Sequence, residues 1–303
     1  MYDIIIIGSG PAGLSSAVYA QREMLNSVVI EKDYMGTGQI AESARVDNYL
    51  GLYGESGFDL GDKFREHAEK LGAKIINAKV HSIVPENNYY RVNLKDQESL
   101  QTKTVIIATG TSPRKLGVEG ESNYIGKGVS FCAVCDGAFY RKKTVAVVGG
   151  GDTALQDALL LSKIADKVFL IHRREEFRAN KALVESVKNK ENIELVLNAV
   201  PVSISGSQKV ENIRVLQNGE EKDLSVNGIF VAVGSLPNNE LVKELVNLDD
   251  RGYIVADESG KTSANGIFAA GDIRTKALRQ VVTAVSDGAN CVISAENYLL
   301  NNK

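Results

Sequence analysis

The sequence predicts an α/β protein of two parallel-sheet domains, the second inserted into the first. Three observations predict it. A strand, a glycine-rich turn and a helix occur in that order twice. Each copy is later closed by an apolar strand that runs into a Gly and a Pro. The C-terminal stretch resembles the missing end of the first copy, not a continuation of the second.

In the first copy, Tyr2 to Ile7 reads as a short buried strand that enters Gly8-Ser9-Gly10-Pro11-Ala12-Gly13 and then a helical run, LSSAVYAQRE. In a G-x-G-x-x-G turn the first Gly permits the bend. The second lets a pyrophosphate approach the backbone, and the third lets helix pack on strand. The helix N-terminus adds free N–H groups and partial positive charge. The next strand, Ser27 to Ile30, ends at Glu31, where a carboxylate binds ribose hydroxyls.

The second copy runs from TVAVV at Thr144 through Gly149-Gly150-Gly151-Asp152-Thr153-Ala154 into LQDALLLSKI. Its second strand, Lys167 to Ile171, ends at His172, at the same offset from Gly149 as Glu31 from Gly8. The acid is replaced by His172-Arg173-Arg174, with Arg178 one helical turn further on as a third phosphate contact. A carboxylate repels a 2′-phosphate, whereas arginine binds it bidentately. The second site therefore reads as NADP(H), the first as an adenine dinucleotide with a free 2′-hydroxyl. A lone glycine motif is weak evidence, and two arginines alone are usually a solvated face. The repetition in register carries the reading.

TVIIATGTSP at 104–113, which contains Gly110, and GIFVAVGSLP at 228–237 each close a copy and begin a crossing. After Asn238 the chain reaches GIFAAGD and a helix from about Leu278 to Leu300. The expected division is 1–114 and 239–303 for the discontinuous first domain and 115–238 for the inserted one. Both are Rossmann-like.

Cys132-Ala133-Val134-Cys135-Asp136-Gly137 precedes the second dinucleotide strand. Zinc needs four ligands, and neither Cys291 nor the three histidines have ligand spacing, so no metal is expected. A thioredoxin-type site places the pair at the start of a helix. Here Asp-Gly reads as a turn and FYRKK leads to a strand. The remaining reading is a redox dithiol served by a flavin and a nicotinamide. Asp136 is the nearest proton carrier to Cys135, and acid–base work and turn chemistry weigh evenly for it. Cys291 reads as a small packed apolar residue.

The 303 residues are 44% hydrophobic and 24% charged with net charge -3, an ordinary globular balance that does not point to nucleic acid. Apolar runs are strand-sized, so no membrane span is expected. MYDIIIIG lacks a basic leader, and three cysteines suit a reducing compartment, so a cytoplasmic location is expected.

CAVCDGAFY, GGGDTA, HRREEFRA and GIFAAGDIRTKALRQVVTAVSDGA, in that order, resemble the low-molecular-weight, bacterial-type thioredoxin reductases. The resemblance runs along essentially the whole chain. It implies a homodimeric flavoprotein with FAD in the discontinuous domain, NADPH in the inserted one, and thioredoxin or a thioredoxin-like protein as disulfide substrate. Carried over by position, Gly8, Ser9, Gly10, Pro11, Ala12 and Gly13 would hold the FAD pyrophosphate and Glu31 its ribose. Gln39, Asn48 and Gly110 would lie near the flavin, and Gly271 and Asp272 near its ribityl chain. Arg279, Gln280 and Val281 would open a helix facing the flavin pyrimidine. Gly149, Gly151, Asp152, Thr153, His172, Arg173, Arg174 and Arg178 would hold NADPH. Cys135 would be the sulfur beside the flavin and Cys132 the one that attacks thioredoxin.

Two features depart from the family pattern: Ala138-Phe139 where two aromatics are usual, and the segment MGTGQIAESARVDNYLG. Both partners of the flavin, the disulfide and the nicotinamide, belong to the inserted domain, so the short crossings near 112–119 and 235–239 read as a hinge. Four other readings fit less well. A ferredoxin–NADP reductase lacks the cysteine pair, and a ferredoxin-dependent flavin thioredoxin reductase lacks the arginines. The flavoprotein of an alkyl hydroperoxide reductase has extra N-terminal domains. An NADPH-binding redox sensor would need no flavin.

Overall fold

A computed structural model describes residues 1–43 and 46–302. Ala44 and Arg45, within the unusual segment at 35–51, lie outside the described residues. The chain forms two compact units, one comprising Met1–Glu42, Val46–Ser112 and Leu236–Lys303, the other chiefly Pro113–Ser235.

The first unit opens with β1 (Tyr2–Ile7), α1 (Pro11–Arg22), β2 (Ser27–Glu31), α2 (Gly57–Lys70) and β3 (Ile75–Asn77). An antiparallel pair, β4 (Val80–Pro85) and β5 (Tyr90–Leu94), leads to β6 (Leu100–Ile107). Ile4 to Ile7 are all buried, with Ile5 and Ile7 in the cluster on one sheet face and Ile4 and Ile6 in the cluster on the other. A strand covered on both faces needs such an unbroken β-branched run.

The first crossing is β7 (Thr111–Pro113). The second unit then carries β8 (Val129–Ser130), α3 (Ala133–Asp136), β9 (Thr144–Val148), α4 (Asp152–Ser162), β10 (Lys167–Ile171), α5 (Lys181–Lys188) and β11 (Ile193–Val196). A three-stranded antiparallel sheet, β12 (Ala199–Gly206), β13 (Val210–Gln217) and β14 (Glu220–Ser225), precedes β15 (Gly228–Val231). The parallel sheet has the order β11-β10-β9-β15-β8. The three glycines at 149–151 lie at the C-terminal end of its middle strand, where ligands bind in open α/β sheets.

The second crossing, β16 (Ser235–Pro237), pairs with β7. That ladder puts both changes of unit at 112/113 and 235/236, slightly earlier than the expected 114/115 and 238/239. The return to the first unit brings β17 (Ile267–Ala269) and α6 (Val281–Asn301). β17 pairs in parallel with β6, Ile267 against Val105. α6 packs backbone to backbone on α1: a Cβ at Gly288 would lie 2.2 Å from the Ala12 carbonyl oxygen. Ser15 and Ser16 donate to the Val285 and Gly288 carbonyls at 2.7 and 3.1 Å. The helix starts later than the sequence suggests. Gln280 is its N-cap, reciprocally bonded with Thr283, and Arg279 lies before it.

Candidate active site

In the first unit the glycine turn is built for close approach. Gly8 has a φ of +104°, and a Cβ there would strike the Ala108 carbonyl at 2.5 Å. A Cβ at Gly13 would lie 1.9 Å from the Gly8 carbonyl oxygen. Gly10 caps α1 with no side-chain partner and Pro11 follows it, leaving the first-turn N–H groups for an anion. Glu31 is buried, accepting from the Ser9 N–H and hydroxyl at 2.8 Å each and from the Asp33 N–H at 3.0 Å. Ser9 therefore serves this turn by fixing Glu31.

The C-terminal segment adds a second wall. Gly271, at a φ of +80°, passes so close to α1 that a Cβ would lie 2.9 Å from that of Ala12. Asp272 Oδ1 is buried without a hydrogen-bond partner among the described residues. Burial raises the pKa of its carboxyl against the pull of Lys276 and Arg279. An acceptor left bare in this way fits a ligand hydroxyl. Arg279 stacks 4.0 Å above the Tyr253 ring and donates to the Asp272 and Arg274 carbonyls. Asn48 donates to Gln280 at 2.9 Å, and Gln39 donates to the Thr111 carbonyl. Gly110 has open space around it.

Sequence reasoning missed what holds this wall. Asp287, 4% exposed in the middle of α6, accepts from the Gly271 N–H at 2.9 Å, Arg274 at 2.7 and 2.9 Å, and Lys276 at 2.7 Å. Burial pushes its carboxyl up, but Arg274 and Lys276 outweigh that and hold it below the usual range. Its sequence signal was a lone acid within the otherwise uncharged run VVTAVSDGANCVI.

In the second unit Gly151 caps α4, and a Cβ there would meet nothing within 4 Å, so the approach to the helix end is open. Thr153 and Asp152 are exposed at that end, and Asp152 accepts from the Asn180 N–H at 2.7 Å. Gly149 must lack a side chain, since a Cβ would lie 2.4 Å from the Ala232 carbonyl. Arg173, Arg174 and Arg178 are exposed. His172, expected to hold NADPH, is placed differently from the arginines. Its ring is buried beneath Gly150, where a Cβ would fall 2.1 Å from ring atoms. It stacks on Phe177 and bonds the Glu176 carbonyl at 3.1 Å. Burial and then the three arginine charges push its pKa down, against the Glu176 bond. His172 thus braces the glycine turn against the arginine loop, which the Arg178 N–H also joins through the Gly150 carbonyl at 2.8 Å.

The same unit holds a Cys132–Cys135 disulfide. Asp136-Gly137 is not a tight turn: Gly137 has helical angles (φ -55°, ψ -34°), and the backbone runs from α3 into a 3-10 turn at Gly137–Tyr140. Cys132 is the N-cap of α3, and its sulfur accepts from the Cys135 N–H at 3.2 Å. Asp136 Oδ2 accepts from Ser130 at 2.6 Å, while Oδ1 is buried without a partner among the described residues. Burial raises the Asp136 carboxyl and the Ser130 bond draws it back. Tyr140 is pushed up to about 12 by burial and by the Asp136 charge. Val134 and Phe139 flank the disulfide as exposed apolar side chains.

A redox-active disulfide and two dinucleotide turns define a recognisable family. The pyridine nucleotide-disulphide oxidoreductase family matches residues 2–288. The chain belongs to that family. It is 40% identical to a thioredoxin reductase of Listeria monocytogenes, over 99% of this chain and 94% of that one. A crystal structure of a thioredoxin reductase from Streptococcus pyogenes superposes with TM-score 0.93 at 41% identity, covering 99% of both chains. A Lactococcus lactis thioredoxin reductase solved in its FR conformation gives TM-score 0.70 at 36% identity, over 99% of this chain and all of that one. Within the family the chain groups with the low-molecular-weight thioredoxin reductases. It is an oxidoreductase of the type that uses FAD and NADPH. The residues present fit both groups: the bare Asp272 oxygen and the fixed Glu31 carboxylate suit hydroxyls, and the open α4 end with its arginines suits phosphates.

Proposed function

We propose that this chain carries electrons from NADPH to the Cys132–Cys135 disulfide and on to the disulfide of thioredoxin or a thioredoxin-like protein. The observation that carries the reading is the presence, in one unit, of both that disulfide and the arginine-bearing glycine turn. Gly8, Gly10, Ala12, Gly13 and the α1 end hold the FAD pyrophosphate, Glu31 its ribose, and Asp272 Oδ1 a hydroxyl of its ribityl chain. Gly151, Thr153, Arg173, Arg174 and Arg178 hold NADPH. FAD, when bound, supplies two-electron transfer between the nicotinamide and the disulfide.

The chain's own groups do the rest. Cys132, the N-cap of α3, attacks the partner disulfide as its thiolate, and Cys135 then displaces the reduced partner from the mixed disulfide. Asp136 gives a proton to the sulfur released when the internal disulfide opens. Exposed Val134 and Phe139 make the apolar rim against which a partner docks, with Ala138 narrowing it. The paired crossings β7 and β16 act as a hinge that presents the nicotinamide and the disulfide in turn. The enzyme works in the cytoplasm as a homodimer.

Anaerobic NADPH titration of the purified protein, followed by oxidised thioredoxins, tests this reading. The expected result is bleaching of a flavin band by NADPH far more readily than by NADH, then reoxidation by thioredoxin. Cys135→Ser should keep flavin reduction and lose disulfide turnover. A colourless protein that takes up no FAD overturns it.

A further inference from the structure

Ser130 is a buried hydroxyl at the end of β8, just before the disulfide. Its oxygen accepts from the Cys132 N–H at 3.1 Å. Its proton points to Asp136 Oδ2, 2.6 Å away, the Cys132 carbonyl being a poorer acceptor at 3.4 Å. One side chain thus joins the backbone of the interchange cysteine to the carboxylate. Because Oδ2 is committed as an acceptor, a proton on Asp136 resides on Oδ1, the oxygen that is buried and has no partner among the described residues.

We propose that Ser130 is a positioning residue for the proton transfer assigned to Asp136. It selects Oδ1 as the oxygen that carries the proton, and it stabilises the carboxylate left behind. The proposal rests on the reading of Asp136 as the acid. In the step concerned, FAD, when bound and reduced, would supply the two electrons that break the S–S bond and lose its own proton to solvent, leaving one sulfur as a thiolate and the other to be protonated. The Oδ1 proton passes to the sulfur released, and Asp136 becomes a carboxylate bonded to the Ser130 hydroxyl.

The ionisable groups near Asp136 are few. Cys132 and Cys135 lie on its own segment. Tyr140 follows on the adjoining turn and is neutral through the working range. α4, packed against α3, carries half-buried Asp157 and, at its exposed ends, Asp152 and Lys163. Burial raises Asp136, and the Ser130 bond acts in the opposite direction. Removing the hydroxyl must therefore raise Asp136 further, since a hydrogen bond to a carboxylate favours the charged form.

The test is the pH profile of NADPH-dependent reduction of a bacterial thioredoxin by the full flavoprotein, with NADPH reduction of the flavin followed separately. The acid must be protonated to act, so the rate falls as pH rises through its pKa. In Ser130→Ala that alkaline limb should move about one unit higher, the size expected for a charge-assisted hydrogen bond. Flavin reduction should be unchanged. Ser130→Thr, which keeps the hydroxyl, should restore the original limb, and Ser130→Cys, a weaker donor, should shift it by less than Ala. Asp136→Asn should remove the limb and slow disulfide turnover by about 10²-fold or more. A Ser130→Ala limb that superimposes on the parent, with the Asp136→Asn limb gone, overturns the role of Ser130 alone. A limb that survives in Asp136→Asn overturns the reading of Asp136 itself.

Discussion

The two glycine turns follow one backbone plan, yet they hold their discriminating residues differently. In the first, the acid after the second strand, proposed to read the ribose, is tied down by Ser9 and Asp33. In the second, the residue at the same register, His172, is a brace under Gly150, and the charges proposed to discriminate are the exposed arginines beyond it. The helices differ too. Gly13 admits no side chain against the Gly8 carbonyl, whereas its counterpart Ala154 has a methyl group in place and fully buried. A hydroxyl-reading site is served by a fixed acceptor, and a phosphate-reading site by cations on an open loop.

The largest test of that contrast sets Gly13→Ala against Gly151→Ala. The first places a methyl carbon 1.9 Å from a backbone oxygen, where only the α1–β1 packing can yield. Its expected cost is about 3 kcal/mol or more, with loss of retained FAD. The second meets nothing within 4 Å and should leave flavin content and thermal midpoint unchanged while raising the KM for NADPH. Flavin absorbance and calorimetry check both. Equal damage from the two changes would break the comparison.

A smaller effect should come from the charges. Arg173→Gln and Arg174→Gln should each raise the KM for NADPH about 10- to 100-fold, the range of a lost charge-assisted hydrogen bond. NADH kinetics and FAD content should not move. Glu31→Gln should do the reverse, lowering FAD retention and leaving the NADPH preference intact. Steady-state kinetics with both nucleotides distinguish the two outcomes.

The architecture was legible because both sheets are built from β-branched runs followed by glycine, a local pattern that leaves few alternatives. The arginines were singled out through register alone. Three features were not legible. His172 shares its register with Glu31, but its burial depends on Gly150 and Phe177, which the sequence does not place beside it. Asp136-Gly137 carries a turn signal, yet Gly137 has helical angles and a Cβ there would come 3.2 Å from Leu161 of α4, so tertiary packing overrides the dipeptide. The Asp287 cluster joins α6 to the segment after β17 through side chains that only the fold brings together.

That cluster has a counterpart in the second unit that lacks such partners among the described residues. Asp287 and Asp157 both lie within helices whose inner faces are apolar. Asp287 is met by two cations and an N–H. Asp157 is raised from 3.8 to about 6 by burial alone. A carboxyl whose folded pKa exceeds its unfolded one binds its proton more tightly in the native state. Its penalty is absent below about pH 4, grows as pH rises from there to about 6, and is complete above that. At 1.36 kcal/mol per unit the full shift sets a ceiling of about 3 kcal/mol, and partial access to water brings this to about 1–2. Asp157→Asn should therefore raise the thermal midpoint at pH 7.5 by several degrees and leave it unchanged near pH 4. Midpoints measured across that range check the sign. A variant whose advantage grew as pH fell would mean that Asp157 is held charged by a partner, as Asp287 is, and the contrast between the two aspartates would be lost.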